Sequence, residues 1–358
     1  MAIKLKPLDE QVIVVTGASS GIGLATARTA ARRGARVLLV ARSGDTLADA
    51  VRAIVADGGT ADWKVADVGD WEQVRAAAAH AVQRFGRIDT WVNDAGVTIY
   101  AKLADTPGDE HERLFRTNYF GTVHGCQAAL PHLAEHGGAI VTVGSIVSDM
   151  PSPVQGAYAA SKHAIKAYVA ALRMELAADG VPVSISLIKP SGIDTPIAQH
   201  AVNHVGGRAQ VPPPSYEPQL VADAILDAAT QPVREISVGG AGVSQVLFYQ
   251  HFKALAEKLM PLAAATFTAP HKQQPTPPNL FAGNADARVH SGENHPRRFS
   301  TYTAAARHPL LMWGAVGGLV ALTLALRGDT KARSPRKWSG REDSNLRPLP
   351  PEGSALPG

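Results

Sequence analysis

The chain has 358 residues, 45% hydrophobic and 18% charged, which excludes a wholly disordered protein and suits a domain of about 250 residues with an extension. Its single cysteine, Cys126, excludes an intramolecular disulfide framework and a cysteine-based zinc site, and suits a reducing compartment. The net charge of +4 is uneven: residues 1–269 hold 23 Lys/Arg against 25 Asp/Glu, so the folded part is not a basic nucleic-acid-binding unit.

In chain order, the apolar runs Val12–Val15, Val37–Val40, Ile88–Asn93, Ala139–Val143 and Val183–Ile188 alternate with Ala-rich helical stretches. Strand–helix alternation predicts an α/β fold, a doubly wound parallel sheet with helices on both faces. The runs are nearly continuous in apolar residues, as strands buried on both faces are. After Thr195 the regularity loosens: 18 of the 25 prolines fall beyond that point. A helix is expected at Glu217–Thr230, a short strand at Arg234–Val238 and an amphipathic helix at Val243–Met260, which closes a domain spanning residues 1–260.

Residues 261–309 mix Pro, Asn, Gly, His and Arg without periodicity and read as an irregular linker. Leu310–Leu326 carries no charge and is bounded by Arg307 and Arg327. As a helix it would span about 25 Å, the short end of a bilayer's requirement. With basic residues on both sides, it is expected to anchor a cytoplasmic catalytic domain to a membrane. Residues 327–358 read as a disordered tail. From Trp338 the sequence fits nothing upstream and resembles read-through of non-coding sequence.

Three clusters carry chemistry. Val12–Val15 leads into Thr16-Gly17-Ala18-Ser19-Ser20-Gly21-Ile22-Gly23, a glycine-rich turn between strand and helix. Such a turn lets backbone N–H groups approach a pyrophosphate at the helix N-terminus. Its spacing, G-xxx-G-x-G, matches the general dinucleotide fingerprint only loosely. Asn93-Asp94-Ala95-Gly96 ends the Ile88–Asn93 run, and Ser145 follows the Ala139–Val143 run. Tyr158 and Lys162 stand four residues apart at the start of a helical stretch, so both project from one helix face.

Together these features resemble the short-chain dehydrogenase/reductase family over roughly residues 9–260. The resemblance implies a Rossmann-type fold, a homo-oligomer and a nicotinamide cofactor. It matches Gly17, Ser19, Ser20, Gly21, Ile22 and Gly23 to the nucleotide loop, and Asn93, Ala95 and Gly96 to the sheet-stabilising NNAG turn. Asn118, Ser145, Tyr158 and Lys162 match the catalytic tetrad, and Asp67 and Val68 the adenine contact. Pro190, Ile193 and Thr195 belong to the segment against the nicotinamide. Asp94 departs from the pattern, where an asparagine is usual, and so does Ser191, where a glycine is usual after the proline.

Reduction of a ketone requires a hydride from the nicotinamide and a proton for the carbonyl oxygen. A tyrosine with a pKa of about 10 needs roughly three units of depression to exchange protons near neutrality, which the Lys162 ammonium is expected to help supply. The resemblance gives Ser145 the substrate oxygen, Lys162 the nicotinamide ribose, and Asn118 a water joining Lys162 to solvent. The acid that binds the ribose 2′-hydroxyl in NAD enzymes is missing, since Val40 is followed by Ala41-Arg42-Ser43. Arg42 suits a 2′-phosphate, so NADP is expected over NAD. The resemblance implies that 191–216 closes the substrate pocket, and its apolar residues, with Met150, Pro151, Pro153 and Val154, then suggest a hydrophobic carbonyl or alcohol substrate. A competing class is a non-catalytic NAD(P)-binding sensor or scaffold, which has no need of Ser145, Tyr158 and Lys162 together. His132, Glu135 and His136 fit H-x-x-E-H, but no downstream acid completes a zinc site, and no metal is expected.

Overall fold

Val12–Thr16 forms strand β1, with every residue buried. Its side chains alternate between two faces: Ile13 and Val15 join one apolar cluster, Val12 and Val14 another. A strand apolar on both faces needs a sheet covered on both sides. In the computed structural model, which describes residues 3–307, β1 is followed by α1 (Gly21–Arg32), β2 (Arg36–Ala41), α2 (Gly44–Ala56), β3 (Thr60–Val65), α3 (Trp71–Phe85) and β4 (Thr90–Asn93). Next come α4 (Gly108–Phe115), a π turn (Arg116–Phe120), α5 (Gly121–His136), β5 (Gly138–Val143) and α6 (Gly156–Ala178). β6 (Val183–Pro190), α7 (Pro218–Thr230), β7 (Glu235–Val238), α8 (Gly240–His251) and α9 (Lys253–Ala263) complete the layers.

The seven strands lie in the order β7-β6-β5-β4-β1-β2-β3, all parallel. The chain builds outward from β1 to β3, then returns to the other side of β1 to place β4. At that reversal the connections leave in opposite directions and open a crevice at the carboxyl ends of the strands. The register Val15↔Val92 sets the loop after β1 beside the turn after β4.

β3 has no apolar run in the sequence to announce it. It is the sheet edge, where one flank meets no strand, and its Asp62 pairs with His80 and Arg84 of α3. The helix expected over Val243–Met260 is two helices, α8 and α9, which part at Phe252, where φ is −127° and ψ 48°. The stretch expected as a linker, 261–309, packs against the domain through its described part, to Arg307. The membrane expectation is corrected. No helix among the described residues is long and apolar enough to cross a membrane. Leu310–Leu326, on which the anchor rested, and the tail from 327 lie outside the described residues, so neither a membrane partner nor an anchored location is retained.

Candidate active site

One cleft of about 610 Å³ runs across the carboxyl ends of β1, β4, β5 and β6. At one end Thr16 closes the gap between two strands. Its Oγ1 donates to Val92 O at 3.1 Å and accepts from the N–H groups of Asp94 (3.1 Å) and Ala95 (3.3 Å). The loop after β1 is thereby pressed onto the turn after β4, so closely that a Cβ on Gly17 would lie 2.8 Å from the Ala95 backbone. Gly17 also has φ +72°, so a side chain is refused on both counts. α1 then begins with no acidic residue in its first turn and no side-chain cap from Ser20. Its first N–H, that of Gly21, donates to Arg288 O at 3.0 Å, and no side chain of the turn itself caps the helix.

Gly17, Ser19, Ser20, Gly21, Ile22, Arg42, Asp67, Val68, Ala95 and Gly96 line this end. Gly23 does not; a Cβ there would lie 2.5 Å from Gly17 O, so it lets helix and loop meet. Asn93 also turns away from the cleft. It accepts from Trp91 Nε1 at 2.8 Å and donates to Thr142 Oγ1 at 3.4 Å, tying β4 to β5. Asp67 accepts from Gly69 N–H and from Arg113, which sits beside Arg42. Burial lowers the pKa of Arg42, and the neighbouring Asp67 opposes this.

At the other end Ser145, Tyr158, Lys162, Pro190, Ile193 and Thr195 line the same cleft. Ser145 caps the short turn Ile146–Ser148, its Oγ accepting from Val147 N–H at 3.3 Å, and it lines the cleft together with Tyr158. Tyr158 and Lys162 share one face of α6, with Nζ 5.6 Å from the phenol ring centre. Nζ donates to Val143 O at 2.8 Å, which aims it along the cleft floor. Asn118 lies in the π turn behind them. It accepts from Val97 N–H (2.9 Å) and donates to Val97 O and to Ser161 Oγ (both 3.0 Å), so its amide is used in joining three segments.

The cleft thus joins a glycine-rich loop at one end to Tyr158 and Lys162 at the other, and comparison with known proteins shows the family. The short chain dehydrogenase family model matches residues 11–205. The chain belongs to the short-chain dehydrogenase/reductase family. It is 37% identical over 333 residues to the uncharacterized oxidoreductase YxnA of Bacillus subtilis, covering 91% of this chain and 93% of that one. It is 38% identical over 199 residues to 1-deoxy-11-beta-hydroxypentalenate dehydrogenase of Streptomyces avermitilis, covering 54% of this chain and 73% of that one. Among solved structures, a Burkholderia phymatum short chain dehydrogenase/reductase in complex with NAD superposes with a TM-score of 0.62. It is 25% identical and covers 75% of this chain and 99% of that one. An alcohol dehydrogenase of Thermococcus sibiricus complexed with 5-hydroxy-NADP gives a TM-score of 0.57 at 27% identity, over 64% of this chain and 95% of that one. This protein is therefore a nicotinamide-dependent oxidoreductase.

For a member of this family the site's electrostatics hold one surprise. Burial raises the Tyr158 pKa to about 12, the Ser145 hydrogen bond only partly offsets this, and the buried Asp94 adds to it. Burial outweighs the depression expected for Tyr158, and it also lowers the pKa of Lys162 to about 8, with Asp94 opposing the fall. Asp94, in place of the usual asparagine, is raised to about 7 by burial, held back by Lys162 and the Gly23 N–H.

The far wall was hardly legible in the sequence. Phe248 and Tyr249 of α8, Leu259 and Met260 of α9, and Phe267 line it opposite Met150, Pro153, Ile197 and Val211–Pro214. The only signal was the amphipathic pattern of Val243–Met260, read as packing. Asn279, Gly283 and Asn284, from the expected linker, also reach the cleft and had no signal at all.

Proposed function

We propose that this oxidoreductase interconverts a carbonyl and an alcohol with NADP, using Tyr158 as general acid and base on a hydrophobic substrate. The observation that carries this is that Ser145, Tyr158 and Lys162 line one cleft, with Lys162 Nζ 5.6 Å from the Tyr158 ring centre, between the nucleotide loop and an apolar wall. The nicotinamide supplies or accepts the hydride when bound, and its oxidised ring brings the positive charge that the Tyr158 phenol lacks. In the reducing direction Tyr158 donates its proton to the carbonyl oxygen. Ser145 holds that oxygen with a pre-oriented donor. Lys162, fixed by Val143 O, holds the ribose side of the cofactor and stabilises the phenolate left behind.

Asn118 is a positioning residue: it fixes Val97 against α6 rather than touching a reactant. Arg42 supports NADP, since a guanidinium at the end of β2 engages a 2′-phosphate in bidentate fashion. The substrate wall favours apolar molecules; its Met150, Val211, Phe248, Leu259 and Met260 bring no formal charge. The hydroxypentalenate named for the Streptomyces relative is in keeping with such a pocket. The test is a panel of carbonyl compounds matched in reactivity but graded in chain length, followed by NADPH absorbance. kcat/KM is expected to rise with apolar length; equal values for short polar and long apolar members would overturn the substrate class.

A further inference from the structure

The stretch from Gln274 to Asn294 takes no part in the sheet, yet it crosses the nucleotide end of the cleft. Leu280 anchors it, 1% exposed, in an apolar cluster with Val97, Ile99, Leu114 and Ala157. Around that anchor a row of backbone carbonyls faces the site. Leu280 O accepts from Arg42 (3.1 Å) and from Arg113 Nε (3.0 Å), and Asn279 O accepts from Arg42 as well. Asn284 O accepts from Ser43 Oγ at 2.7 Å, and Arg288 O accepts from the Gly21 N–H at 3.0 Å. Beyond, the stretch is tied to the segment after β6: Ser291 Oγ donates to Asp194, and Gln199 Nε2 to Ser291 O. Asp286 meets the buried His200 at 3.1 Å.

The donors taken up in this way are the ones a dinucleotide's phosphates need. Arg42 is the group assigned above to the 2′-phosphate, and the Gly21 amide stands at the N-terminus of α1. A phosphate oxygen and a carbonyl oxygen compete for the same N–H, and they repel one another when adjacent. A ribose 2′-hydroxyl behaves differently, because it is itself a donor and can give its proton to a carbonyl oxygen.

We propose that residues 279–288 form a displaceable strap that competes with the pyrophosphate of either cofactor for the Gly21 amide and with a 2′-phosphate for Arg42, the second contact setting the nucleotide choice. A 2′-phosphate must dislodge the Asn279 and Leu280 carbonyls, whereas a 2′-hydroxyl binds beside them. NADP binding is therefore coupled to opening of the strap at this point, and NAD binding much less so. This inference rests on the assignment of Arg42 made above.

The strap can be locked reversibly in the full chain. A Cβ on Gly283 would lie 2.5 Å from Ser43 Oγ, so the pair Ser43→Cys and Gly283→Cys places two sulfurs in bonding reach. The native thiol of Cys126 is buried and stays out of the reaction. NADPH and NADH affinities are measured by nicotinamide fluorescence with the pair oxidised by a small disulfide oxidant and again after reduction. Oxidation is expected to weaken NADPH at least tenfold, and by a larger factor than NADH, with recovery on reduction. Equal NADPH affinity in both states, or a greater loss for NADH, overturns the strap. As a second variant, Leu280→Ser removes the anchor. It is expected to raise NADPH affinity and association rate several-fold while changing NADH by less than twofold; a fall in NADPH affinity makes the stretch a wall of the site and overturns the proposal. If the unmodified chain bound neither nucleotide, the function proposed above would fail; if binding were simply indifferent to the lock, the strap alone would fail.

Discussion

The two ends of the cleft are built from different materials. The nucleotide end is made by turns that directly follow β1, β2 and β4, and its shape is fixed by main chain against main chain, as where Gly17 meets Ala95. The substrate wall is made by α8, α9 and the 211–214 segment, late in the chain, from large apolar side chains that remain partly exposed, Phe248 at 38% and Leu259 at 45%. A site shaped by backbone tolerates few residue types and serves one ligand class. A wall shaped by side chains can be re-cut without disturbing the sheet, which is how one fold serves many substrates.

Variants that separate the two ends test this contrast. The largest effect belongs to the residue between them. Tyr158→Phe keeps the ring and removes the proton donor, so kcat should fall by about 10²–10⁴-fold while NADPH affinity survives; near-normal turnover on an established substrate would break the mechanism. At the nucleotide end, Ala41→Asp with Arg42→Ala should exchange NADPH for NADH. A charge-assisted contact contributes roughly 1.5–3 kcal/mol, one to two decades in Kd. Unchanged preference would leave Arg42 without a part in the choice.

At the substrate wall, Leu259→Ala should raise KM for long apolar substrates roughly three- to tenfold, the worth of about one or two buried methylenes. NADPH affinity should stay put; a joint loss would mean the two ends are not separable. The smallest effect is a pH dependence. Between its ordinary value of 3.8 and about 7, Asp94 keeps a proton in the folded chain that the unfolded chain has released, so stability falls as pH rises through that window. Asp94→Asn removes this slope and should raise Tm by a few degrees at pH 8 relative to the parent, with little change at pH 4. Parallel Tm profiles for the two proteins would contradict the buried-carboxyl reading.

The same contrast explains what was legible in the sequence. β1, β2, β5 and β6 are apolar on both faces and could be read directly, whereas β3 at the edge carries Asp62 and Lys64 and could not. Glycine spacing marks the nucleotide loop because only glycine meets the steric demand there. It does not say which members face the ligand, and Gly23 and Asn93 prove to serve packing instead. The i,i+4 spacing of Tyr158 and Lys162 fixed their common face, but their ionisation depends on burial and on Asp94, which no spacing encodes. The strap was invisible for a related reason: it uses carbonyl groups, which every residue has, so its composition reads as linker.

The π turn at Arg116–Phe120 has a consequence for the gene. It joins α4 to α5 with helical dihedrals on both sides, Phe115 at φ −63° and Gly121 at φ −58°, so the whole stretch winds as one rod with a local surplus residue. Deleting any single codon within it would remove the surplus residue and let the rod relax to regular α-helix, with α4 and α5 keeping nearly the same phase. Arg113, outside the turn, would keep its side towards Asp67, whereas Asn118, inside it, would lose its place against Val97, although no apolar residue of the core had been altered. Such an in-frame loss is expected to yield a folded chain with a dismantled site, a lesion that substitutions scattered along the same helices would rarely produce.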